Sequence, residues 1–147
     1  MPPAMPTAHG DGVPMNEAES TLRALLQRAG FPTPIAQEPI QLRDPLGSTA
    51  PGFFYDDPTC RLDGVCIYLD GMSNHVHGNA ATQHRDRQIR EELRNRRYEV
   101  FEIPFGHLTD REAMMRHFYR LGRIMLGKDA ADNLRNAPNW FRGTIGP

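Results

Sequence analysis

A chain of 147 residues is long enough for one domain with a real core. Its 39% apolar and 24% charged residues read as a soluble, globular chain with some disordered margin. The 17 Lys and Arg against 18 Asp and Glu leave a net charge of -1, so no global basic bias favours nucleic acid and any such role rests on local charge.

Residues 1–14, rich in Pro, Gly and Ala, read as a disordered leader, with 15–147 as a single domain. The start "MPPAMPTAHGDGVPM" has no basic region or apolar core of a signal peptide, and no later run is long enough to span a membrane. A cytoplasmic protein with no membrane partner is the expectation. "NEAESTLRALLQRAG" predicts a helix with Asn16 as N-cap and Leu22, Leu25 and Leu26 on one face, closed by Gly30. "IAQEPIQL" reads as a first strand, "RDPLGSTAPG" as a turn-rich connection, and "FFYDD" as a short aromatic strand. After the turn "PTCRLDG" comes "VCIYLDG", the most apolar strand and suited to a sheet centre. Cys60 and Cys66 form no CxxC pair and read as reduced thiols, Cys66 in the core.

A polar loop then leads into "QHRDRQIREELRNR", a helix whose apolar stripe is only Ile89 and Leu93 and whose other faces are rich in arginine. "YEVFEIPF" alternates as a strand, and "TDREAMMRHFYRLGRIMLG" is a further helix with Thr109 as N-cap. The last segment carries Trp140, expected to dock beside Phe141. A helix crossing from "VCIYLDG" to "YEVFEIPF" makes those two strands parallel neighbours. The fold class is therefore α/β, with a central mixed sheet of about four strands flanked by helices.

The stretch "VCIYLDGMSNHVHG" concentrates the chemistry. An apolar strand stops on Asp70 and Gly71, and His75 and His77 follow. A carboxylate at a strand tip is held at a fixed point, glycine leaves room beside it, and imidazoles titrate near neutrality. A plain Asp-Gly turn with two solvated histidines accounts for the same residues. Arg85, Arg87, Arg90 and Arg94 crowd the next helix, as a phosphate-contacting face or as a solvated one with pairs such as Asp86–Arg90.

The order "NEAE", "GFFY", "IYLDG", "NHVHG", "HRDRQIREEL" and "RRYEVFEI" over residues 16–103 resembles the PD-(D/E)XK restriction-endonuclease-like superfamily. The branch it is most similar to is that of very-short-patch-repair endonucleases, which includes nuclease-like domains appended to helicases. The resemblance implies a restriction-endonuclease-like fold and a Mg²⁺- or Mn²⁺-dependent DNA endonuclease of repair or defence. In that reading Asp70, His77 and His75 are catalytic, Asp70, Glu17 and Asp56 hold metal, and Arg85, Arg87, Arg90 and Arg94 bind DNA. The chain departs from the pattern at Gly52, where the family has an aspartate, and at Tyr68, where many members have an acid. No lysine stands at the position of the family's ExK. The alternative is a catalytically degenerate nuclease fold that binds nucleic acid or docks on a protein, such as a helicase of the same system. A carboxylate from Asp56, Asp57 or Glu17 within reach of a common ion with Asp70 would favour the active form.

Overall fold

The computed structural model describes residues 15–71 and 80–141. In chain order these form α1 (Met15–Arg28), β1 (Ile35–Ala36), β2 (Ile40–Gln41), β3 (Ser48–Thr49), β4 (Phe53–Tyr55) and β5 (Gly64–Asp70). There follow α2 (Ala80–Asn95), β6 (Tyr98–Pro104), a 3-10 turn (Phe105–Thr109), α3 (Arg111–Met125) and α4 (Lys128–Asn136). The architecture is mixed α/β around a four-stranded sheet of order β1-β4-β5-β6. β4 runs antiparallel to β5, while β6 is parallel to β5 and beside it, as the α2 crossover requires. β5 is central because Val65, Cys66 and Ile67 are all buried, so both of its faces need cover.

The two faces are covered unequally. Val65, Ile67 and Leu69 of β5 join Phe101 and Ile103 of β6 in the larger core, filled by Leu22, Leu25 and Leu26 of α1 and by Met114, Phe118 and Leu121 of α3. On the other face Phe54, Cys66 and Val100 meet Ile89 and Leu93 of α2, with Ile40 and Leu42 from the β2 region. Trp140 stacks 4.7 Å from Phe118 and meets Phe141 edge-on at 5.9 Å, so the end of the described chain closes the larger core.

Local chemistry explains several departures from the sequence expectations. "IAQEPIQL" is not one strand: Gln37 takes φ 58° and Pro39 follows, so β1 pairs with β4 while β2 joins β3 in a separate two-stranded sheet. α1 begins at Met15, which puts Asn16 inside the helix. It ends at Gly30 as expected, with φ 96° and the Phe31 N–H donating to the Leu26 carbonyl at 3.0 Å. α3 is capped by Asp110 and not Thr109, the Asp110 carboxylate accepting from the N–H groups of Glu112 and Ala113. α4 is an unanticipated helix, docked through Ala131 and Leu134. It lies so close to α3 that a Cβ on Gly122 would come within 3.1 Å of Leu134 and 3.2 Å of Ala131. Among the described residues no helix is long and apolar enough to cross a membrane.

Candidate functional site

Strand alternation decides what stands beside Asp70. Cys66 and Tyr68 face α2, and Asp70, two residues on, continues that row at the strand's end. In the parallel register Glu102 of β6 is the partner of Tyr68. On α2, Ile89 and Leu93 anchor the helix to the sheet, and Arg90, next to that stripe, reaches over the sheet end.

Its guanidinium is the centre of the arrangement. Arg90 Nη2 donates to Asp70 Oδ1 at 3.0 Å and Nη1 to Asp70 Oδ2 at 3.2 Å, a two-pronged pair. The same Nη1 donates to Glu102 Oε2 at 3.0 Å. The guanidinium carbon lies 4.3 Å from the centroid of the Tyr68 ring, and the Tyr68 hydroxyl is fixed against Thr49 Oγ1 at 2.8 Å. The Arg90 side chain is only 14% exposed, so solvent screens this cation poorly. Burial would lower its pKa, but Asp70 and Glu102 outweigh that and raise it. Burial also pushes the Tyr68 hydroxyl up, to about 12, so the ring stays neutral. A fixed cation thus sits against Asp70, the carboxylate to which the resemblance assigns a divalent ion.

The positions of the expected acidic centre do converge. Continuing the β4–β5 register one residue past Phe53↔Ile67 sets Gly52 beside Tyr68, on the side of the sheet that Asp70 shares. A Cβ at Gly52 would meet the Ile67 carbonyl at 3.5 Å, an ordinary contact, so space does not explain the glycine. Only Asp70 of the three is acidic, and both its oxygens are engaged by Arg90.

The other expected ligands lie elsewhere. Asp56 follows β4 at the end where Tyr55 pairs with Val65, roughly 20 Å along the sheet from Asp70 at a strand's rise per residue. Asp57 is buried and builds the turn after β4, Oδ1 accepting from the Thr59 N–H at 2.9 Å and Oδ2 from the Leu62 N–H at 2.8 Å. Burial raises its pKa, but hydrogen bonds from Thr59, Leu62 and Arg61 prevail and hold the carboxyl below its ordinary value. Glu17 is exposed on α1, which packs on the opposite face of the sheet from α2. His75 and His77 lie outside the described residues. Among the described residues no three His, Cys, Asp or Glu side chains gather as metal ligands. Asp56, Asp57 and Glu17 therefore do not stand beside Asp70; the second carboxylate there is Glu102, and the cation between the two is Arg90.

Much of the arginine face has structural employment. Arg85 donates to the Leu46 carbonyl at 2.6 Å and Arg96 to the Gln41 carbonyl at 2.9 Å, while Glu92 takes Arg43 at 3.2 Å. These bonds fasten the β2–β3 hairpin to α2. Arg97, in the left-handed region at φ 72°, reaches the Arg61 carbonyl. Arg94 is half exposed and only 3.9 Å from Glu102, and Arg87 is exposed with no hydrogen-bond partner among the described residues. The anticipated Asp86–Arg90 pair is replaced by Arg90 with Asp70 and Glu102. Sequence reasoning missed Glu102; its one signal was that a strand alternating beside "VCIYLDG" must put every second residue on the Asp70 face. Compared with protein-family models, curated proteins and solved structures, the chain has no match.

Proposed function

We propose that this chain is a restriction-endonuclease-like domain whose acidic centre has been exchanged for an internal arginine, and that it binds DNA without cutting it. The observation that carries this reading is the Arg90 guanidinium, held by both oxygens of Asp70 and by Glu102 over the Tyr68 ring. The helix between two parallel strands and the neighbouring positions of Gly52, Tyr68 and Asp70 support the fold assignment. Hydrolysis of a phosphodiester needs charge placed on the phosphate and a positioned water. Both oxygens of Asp70 are already paired with the Arg90 cation, so a divalent ion would have to displace or compete with that guanidinium, and in this reading the domain keeps the geometry and loses the chemistry.

DNA contact falls to the outer side of α2, where Arg87 and Arg94 retain donors for backbone phosphates. Retardation of a duplex at increasing salt tests this. Arg87→Glu with Arg94→Glu should abolish most of the binding, and Arg87→Ala alone should lower the salt slope by about one. Duplex binding indifferent to both changes would refute the assignment of this face.

A second reading is a working nuclease with a rearranged centre. The observation that favours it is that Asp70 and Glu102 accept from the same nitrogen of Arg90, so two carboxylates do share one cationic position.

A further inference from the structure

On the opposite side of the sheet from Arg90, α3 and α4 enclose an open pocket of about 330 Å³, lined by Met115, Arg116, Tyr119, Arg120 and Arg135. Nothing in the Arg90 arrangement uses it. Its volume is that of a small-ligand site. Its walls are almost wholly apolar: the Met115 thioether, the Tyr119 ring and the hydrocarbon stems of the arginines, with little guanidinium surface turned inward.

These groups are fixed in place. The Tyr119 hydroxyl donates to Asp132 Oδ1 at 3.2 Å and accepts from Arg123 Nη1 at 3.3 Å, which locks the ring. Arg135 covers the ring with its guanidinium carbon 4.5 Å from the centroid while donating to Asp132 at 3.3 Å. Arg120 is turned onto Glu99 at 2.9 Å and lies 4.1 Å over the Phe101 ring. Two of the three lining arginines thus have their charge answered and one face already against a ring. Arg116 is exposed and has no ion-pair partner among the described residues. The pocket therefore presents apolar surface for a planar ring, and Arg116, exposed beside it, is an unanswered guanidinium for an anion outside that surface.

We infer that the α3–α4 pocket seats one unpaired base of a single-stranded nucleic acid, the base extending the Tyr119–Arg135 stack and its phosphate meeting Arg116. An acidic peptide fits less well, because its carboxylates need several donors aimed outward and only Arg116 has them to spare. Base stacking on aromatic and guanidinium planes is tolerant of base identity. The choice of nucleic acid over another aromatic anion rests on the DNA-binding reading above; the pocket itself does not.

The test is fluorescence anisotropy of a labelled oligodeoxythymidylate, beside an abasic oligomer of equal length, with polyglutamate as competitor. Arg116→Glu and Tyr119→Leu should each weaken thymidylate binding about tenfold or more, and the abasic oligomer should bind as weakly to the unaltered chain. Arg116→Glu changes a solvent-facing side chain, so its result does not depend on refolding; circular dichroism checks Tyr119→Leu. Thymidylate binding unaltered by Arg116→Glu, equal affinity for the abasic oligomer, or full displacement by polyglutamate would each overturn the inference. Arg87→Glu separates the two proposals. If it weakens duplex binding while single-strand binding ignores Arg116→Glu, the pocket assignment fails alone. If Arg116→Glu abolishes single-strand binding and no duplex is held, the α2 assignment fails alone. If neither nucleic acid binds, both fail.

Discussion

Removing Arg90 would leave the carboxylates of Asp70 and Glu102 facing one position with no cation between them. Both are partly shielded from water, at 26% and 42% exposure, so their repulsion and lost hydrogen bonds are felt. Arg90→Ala should cost about 1–3 kcal/mol of folding stability, measured by urea denaturation. Arg90→Lys should restore only part of it, because an ammonium cannot make the two-pronged bond or stack on Tyr68 as a plane. A second residue-scale prediction concerns His117, whose Nε2 is 3.0 Å from His107 Nδ1. Burial first, then His107, Arg120 and Arg116, push its pKa down to about 4 from 6.5. Between those values the unfolded chain takes up a proton that the folded one refuses, so stability falls as pH drops through that window. The Tm of the unaltered chain should drop more steeply over that range than that of His117→Gln. Equal slopes would contradict the account. Asp70 at its strand tip was legible from an apolar run ending in Asp-Gly. Its engagement by Arg90, 20 residues later in the chain, was not, because i,i+4 spacing made Asp86 the natural partner.

At the scale of elements, α2 is attached by very little apolar surface. Ile89 and Leu93 are its buried residues, and Leu93 is wholly buried. Leu93→Ala should therefore cost about 2–5 kcal/mol in a denaturation experiment, since the cavity opens under the helix that carries Arg90. The rest of the attachment is polar, through the Arg85, Glu92 and Arg96 bonds to the β2–β3 region. The first three helices and the two long strands were readable because their patterns are local: Leu22, Leu25 and Leu26 on one face, Val100, Phe101 and Ile103 in alternation. The two-residue strands were not. Ile35–Ala36 and Ile40–Gln41 are too short for a period, and their separation depends on a left-handed Gln37 that no pattern announces. α4 was missed for a related reason. Its stripe is Ala131 and Leu134, and it becomes a docking face only because Gly122 of α3 lets it approach.

For the whole molecule, a net charge of -1 hides an uneven distribution. Arg87 and Arg94 stand on the α2 side of the sheet, and Arg116 with the Tyr119–Arg135 stack on the side of α3 and α4. Each is a local surplus, the kind of feature that composition conceals and folding exposes. The acidic centre implied by the resemblance behaves in the opposite way. Its three positions, Gly52, Tyr68 and Asp70, are brought together by the sheet register, yet the residues there leave one carboxylate and give it to an arginine. On the reading proposed above, this is a folded site without metal-dependent cleavage. The measurement that bears on it most directly is incubation of supercoiled DNA with the purified chain in Mg²⁺ or Mn²⁺, beside Asp70→Ala, with retardation of the same DNA followed in parallel. The DNA should be retarded in a salt-dependent way and stay intact with either protein. Metal-dependent cutting that disappears in Asp70→Ala would contradict it.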